Sequence, residues 1–133
     1  MDAIKLNSKK PIYIQIAEYF QLQVFIGNLT PGEIIPSRRE IATSFRVNLN
    51  TVQKSYSYME EIGLILTKKN KFSIITEDEQ KIDKLKAYFL EEPIRNFIDQ
   101  MKLMNIDKNR ILALIDIYYD KDEKEYGGSD DRN

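Results

Sequence analysis

Between residues 35 and 65 the chain reads IPSRREIATSFRVNLNTVQKSYSYMEEIGLI, a run rich in side chains that hydrogen-bond flat or charged partners. Asn50 and Gln53 carry carboxamides that donate and accept together, the chemistry that meets an adenine edge at two points. Arg38, Arg39 and Lys54 are cations suited to phosphate oxygens, and Asn48 and Thr51 add short donors and acceptors. The run is too polar for a buried core helix and too apolar for a linker. Its few aliphatic positions therefore have to order the polar ones.

Other chemistries are poorly provided for. With no cysteine and no histidine, the chain has no disulfide, no thiolate nucleophile, no Ser-His or Cys-His pair and few ways to hold zinc or iron. Carboxylate pairs such as Glu91/Glu92 and Asp120/Asp122 lie on acidic, solvated stretches with no glycine loop nearby. The expectation is a protein that is not an enzyme, with no cofactor and no metal.

The elements that position the polar run can be read from periodicity and caps. PIYIQIAEYFQLQVFIG carries Pro11 in a first helical turn, an apolar stripe at Ile12, Ile16, Tyr19/Phe20 and Val24, and a terminating Gly27, which predicts a first helix. NLTPGEIIP reads as a turn. Ser37 and Glu40 form a capping box that starts a second helix at Ser37, with Ile41, Ala42 and Phe45 facing in. RVN turns into a third helix capped by Asn48, striped inward by Val52, Tyr56 and Met59, with Ser55 small enough for close helix approach and Gly63 as terminator. Two short helices and a tight turn make a helix-turn-helix, which turns Asn50, Thr51, Gln53 and Lys54 outward at the start of the second of the pair. Arg38 and Arg39 stand at a helix N-terminus, where the helix dipole disfavours cations, so a phosphate partner is expected there. Leu64 to Thr67 and Phe72 to Thr76 are β-prone, and Asn70 suits the left-handed residue of a hairpin whose tip carries Lys68, Lys69 and Lys71. Three helices and a basic hairpin predict a winged helix.

Charge divides along the chain in the same sense. Residues 1–76 hold 10 Lys+Arg against 6 Asp+Glu, net +4, and residues 77–133 hold 10 against 15, net −5. A basic first half suits a polyanion, from which an acidic second half would stand away. A hydrophobic content of 42% supports a packed core, no run is long enough to span a bilayer, and MDAIKLNSKK lacks an apolar signal region, so a cytoplasmic protein without membrane contact is expected.

From Pro11 to Thr76, PIYIQIA, PGEIIPSRREIA, NTVQKSY and EEIGLI come in the order and spacing of a known pattern, and the chain resembles the DNA-binding domain of the GntR family of bacterial transcription regulators. VNLNTVQKSY is similar to the YtrA-like subfamily, with Asn48, Asn50, Thr51 and Val52 on its usual residues. The resemblance places Arg39 at the position of an arginine that family members set against DNA. Leu49 stands where the subfamily often has Pro and other members Arg, Arg46 where Gly is frequent, and Asn70 and Phe72 where glycines are usual in the wing. It also implies a short two-helix C-terminal dimerisation region in place of a larger effector domain, and transport genes as targets.

The residues of the second half agree with that implication. Leu85, Phe89, Ile94, Phe97, Met101 and Met104 trace one helical face, with Glu91-Glu92-Pro93 permitting a kink or restart. Asp107 caps a further helix whose inner side is Ile111, Leu114/Ile115 and Tyr118. Two such helices cannot enclose a core alone and need a partner surface, either the chain's own first half or a second copy. The second copy is the reading adopted, with Leu85, Phe89, Ile94, Phe97, Met101, Met104, Ile111 and Ile115 expected to form a homodimer interface. The expected organisation is a mainly α fold with a small β-hairpin: a winged helix-turn-helix domain over 1–76, a helical dimerisation region over 77–120 and a disordered tail over 121–133. The expected function is a sequence-specific DNA-binding regulator, a repressor on a double-stranded inverted-repeat operator, contacting DNA through Arg38, Arg39, Asn48, Asn50, Thr51, Gln53, Lys54, Lys68, Lys69 and Lys71. The alternative is a protein-interaction module that kept the fold without reading DNA. Neither the operator sequence nor a small-molecule effector can be read from the chain.

Overall fold

The computed structural model describes residues 1, 4–69 and 71–127. Helix α1 (Ile12–Phe25) begins after Pro11, buries Ile16, Ala17, Phe20, Gln21 and Val24, and is followed by Gly27 at φ 85°. Ile12, expected on the inward stripe, is 41% exposed because it lies in the first turn, one turn short of the buried face that begins at Ile16. Helix α2 (Arg38–Phe45) and helix α3 (Leu49–Glu61) follow, and their buried residues Ile41, Phe45, Val52, Ser55, Tyr56 and Met59 complete a core with α1. Aromatic edges interlock across it. Phe20 meets Tyr56 at 5.9 Å between centroids and Tyr19 meets Phe45 at 5.5 Å. Burial raises the Tyr56 phenol well above its ordinary range, and its hydroxyl donates to the Pro36 carbonyl at 2.6 Å.

Strands β1 (Ile65–Lys68) and β2 (Phe72–Ile75) form an antiparallel hairpin in the register Ile65↔Ile75, Leu66↔Ile74, Thr67↔Ser73 and Lys68↔Phe72. A third extended segment lies on the other edge of β2. Ile34 bridges Ile74, Ile35 N–H donates to Ser73 at 3.0 Å, and Ile75 N–H donates to Glu33 at 2.9 Å. The stretch expected to be only a turn is thus partly strand-like. Pro31-Gly32 makes the turn, with Gly32 at φ 83°, but the open edge of β2 needs partners for its backbone groups, and residues 33–35 supply them before Pro36 stops the pairing.

The first compact unit extends to Phe89, beyond the expected boundary at Thr76, because Ile82 and Leu85 of helix α4 (Glu79–Leu103) pack on its core and Phe89 sets its ring edge-on to Phe25 at 5.3 Å. The second unit starts at Leu90. Helix α4 runs through Pro93 without the interruption that the sequence permitted. Asn105, at φ 58°, makes the turn that follows. Helix α5 (Lys108–Gly127) is capped as expected, with Arg110 N–H donating to Asp107 Oδ1 at 2.9 Å. It continues past Asp120 into the segment expected to be disordered, since Lys and Glu there are good helix formers; residues 128–133 of that segment lie outside the described residues. Among the described residues no helix is long and apolar enough to cross a membrane, and no group of His, Cys, Asp or Glu could hold a metal ion.

Candidate nucleic-acid interface

The capping box that starts α2 is complete: Ser37 Oγ accepts from Glu40 N–H at 3.1 Å, and Glu40 accepts from Ser37 N–H at 2.9 Å. Those hydrogen bonds hold the Glu40 carboxyl below its ordinary pKa, the backbone N–H of Ser37 contributing most. Helix α2 ends at Arg46, which takes the left-handed conformation (φ 56°) that glycine prefers. Asn48 Oδ1 then accepts from Asn50 N–H at 2.7 Å and opens α3. Both helices of the pair are therefore fixed at their starts by short side chains, and the turn between them is fixed by a single left-handed residue.

With Val52, Ser55, Tyr56 and Met59 buried, α3 exposes Asn50, Gln53, Lys54 and Ser57 along one outward row. Among the described residues no hydrogen bond engages the side chains of Asn50 or Gln53. Lys54 rests its ammonium 4.3 Å from the centre of the Tyr13 ring, which in turn meets Tyr58 edge-on at 6.0 Å. Burial raises the Tyr58 phenol, with the nearby Tyr88 adding to the effect. Thr51 is only half-buried on the flank of the helix, not in the outward row expected of it, because it follows Asn50 by a 100° step. Leu49 is half-buried as well. Asn48 is exposed, but its side-chain oxygen is committed to the cap.

The two arginines at the start of α2 differ. Arg39 is exposed. Arg38 is half-buried, with its guanidinium 4.7 Å over the Tyr56 ring and 3.9 Å from Glu60. In the hairpin Lys68, Lys69 and Lys71 are all exposed, and Lys71 N–H donates to the Lys68 carbonyl at 2.9 Å. The left-handed residue is Lys69 (φ 48°); Asn70, to which that conformation was assigned, lies outside the described residues. A cavity of about 250 Å³ lined by Ser37, Arg38, Tyr56, Lys71 and Ser73 puts the tip-side end of β2 beside the start of α2.

Sequence reasoning passed over three side chains here. Ser57 follows from helical spacing, as it lies four residues past Gln53. Tyr13, on α1, carries no local signal, because only the packed fold brings it to Lys54. Glu60 reads as an ordinary surface carboxylate until its partners are seen.

In the second unit Ile94, Phe97, Met104 and Ile115 are exposed, Met101 and Ile111 are half-buried, and the face they outline also carries Ile98 and Leu112. Ile94, Phe97, Ile98, Ile106, Ile111 and Ile115 line a cavity of about 530 Å³ between the end of α4 and α5. Leu85 and Phe89 do not belong to this free surface. They are spent on the first unit, as α4 lies against that core up to Phe89.

The model of bacterial regulatory proteins of the gntR family matches residues 12–71. The chain is 36% identical over 108 residues to the HTH-type transcriptional regulator YhcF of Bacillus subtilis, covering 81% of this chain and 89% of that protein. It is 33% identical over 107 residues to the HTH-type transcriptional repressor YtrA of the same organism, covering 80% and 78%. A solved structure, a GntR family transcriptional regulator from Listeria monocytogenes, superposes with a TM-score of 0.77 at 32% identity, covering 84% of this chain and 97% of that one. On the strength of the matched segment, of relatives aligned over most of both lengths and of a helix-turn-helix with a hairpin wing, the chain belongs to the GntR family of bacterial transcriptional regulators.

Proposed function

We propose that the protein is a homodimeric repressor that occupies an inverted-repeat operator in double-stranded DNA and blocks transcription there. The observation that carries this reading is the outward row of α3, where Asn50 and Gln53 stand exposed with no hydrogen bond to their side chains among the described residues. Carboxamides at the start of a recognition helix suit adenine edges in the major groove. Arg39 at the start of α2 and Lys68, Lys69 and Lys71 at the hairpin suit phosphates on either side, with Lys54 held ready by Tyr13. The exposed aliphatic and aromatic face of the second unit supports pairing with a second copy, which would present two recognition helices to two half-sites. Repression is in keeping with the relative named as a repressor.

Genomic fragments retained by the immobilised protein supply the operator, and salt titration tests the mode of binding. Log affinity is expected to fall linearly with log salt, and Lys68→Ala to reduce the slope by about 0.9 while weakening all sequences alike. An affinity indifferent to salt would sink the proposal.

A further inference from the structure

Glu60 is out of place on a surface meant for a polyanion, since it follows Gln53 by two helical turns on α3 and is exposed. Its two carboxylate oxygens have separate partners. Oε1 faces Arg38 Nη2 at 3.9 Å, and Oε2 accepts the hydroxyl hydrogen of Thr67 on β1. Thr67 Oγ1 also lies 2.8 Å from Ser73 Oγ, its register partner on β2. Arg38 is in turn seated over the ring of Tyr56. One carboxylate thus joins the start of α2, the end of α3 and both strands of the hairpin, one residue before Lys68.

Resting on the reading of the wing as a phosphate contact, we propose that Glu60 is a positioning residue that holds the wing lysines toward DNA, so that an acidic side chain strengthens the binding of a polyanion. The ion pair is long and partly exposed, and by itself would stabilise little. The hydroxyl relay through Thr67 to Ser73 is the part that reaches the wing. Simple electrostatics predicts the opposite sign, because deleting an anion beside DNA should tighten binding.

The test is binding of the full-length chain to a random-sequence duplex across a salt series. Glu60→Ala is expected to weaken binding about three- to tenfold, the range of coupling within a small network, and to lower the salt slope. Lys68→Ala, costly in the otherwise unchanged chain, should cost little more once Glu60 is gone. Thr67→Val cuts the relay without altering charge in a residue type suited to strands, and should reproduce both effects even if Glu60→Ala fails to fold. Tighter binding by Glu60→Ala, or a cost of Lys68→Ala undiminished in both variants, overturns the role of Glu60 alone. Lys68→Ala without effect in the otherwise unchanged chain overturns the phosphate role of the wing as well.

Discussion

At the scale of single residues, reading a base and holding a phosphate make different demands. If Asn50 and Gln53 meet base edges, Asn50→Ala and Gln53→Ala should each cost about 1–3 kcal/mol on the operator and little on scrambled duplex. Competition binding against both DNAs decides this, and equal losses on the two would reduce α3 to a backbone clamp. Arg39→Ala should weaken both DNAs if it holds phosphate, and mainly the operator if it reads guanine. The outward positions of Asn50, Gln53 and Lys54 were legible in advance because four buried positions on α3 determine which side is left, whereas Thr51, also expected outward, lies on the flank. The fate of Arg38 was not legible. Nothing local distinguishes it from Arg39; only the fold brings Tyr56 and Glu60 to its guanidinium.

At the scale of elements, α2 is held by two features that can be changed separately. The depressed pKa of Glu40 means that its cap contributes stability above the ordinary carboxyl range, and that this contribution is lost as pH falls through the lowered value. Glu40→Gln keeps a capping side chain without the titration. Urea denaturation at about pH 6 and about pH 3 should therefore show the unchanged chain losing more stability on acidification than the variant. At the other end of α2, Arg46→Gly relieves a left-handed residue and should raise stability by about 1 kcal/mol in the same assay. The starts of α2 and α3 were readable because caps are local signals: Ser37 lies three residues before Glu40, and Asn48 two before Asn50. The pairing of Ile34 with Ile74 was not, since a short extended segment shows its partner only when the hairpin lies beside it.

At the scale of the whole molecule, the apolar stripe of α4 divides in two, with Leu85 and Phe89 packed on the first unit and Ile94 and Phe97 exposed in the second. Periodicity revealed the stripe but could not say what covers each part of it. A fragment ending at Phe89 should consequently fold and sediment as a monomer, and bind a two-half-site operator about a hundredfold more weakly, as linked half-sites are lost. An intact dimer in that fragment would contradict the assignment. Pro93 has a further consequence for how α4 opens. Its ring nitrogen carries no hydrogen, so the Phe89 carbonyl has no donor four residues on, at the place where one compact unit gives way to the next. The helix is continuous in space but should not be a single block in amide hydrogen exchange. Amides before Phe89 should exchange with the opening of the winged helix and, on the proposal of a homodimer, amides beyond Pro93 at a rate that slows as protein concentration rises; Pro93→Ala should merge the two behaviours.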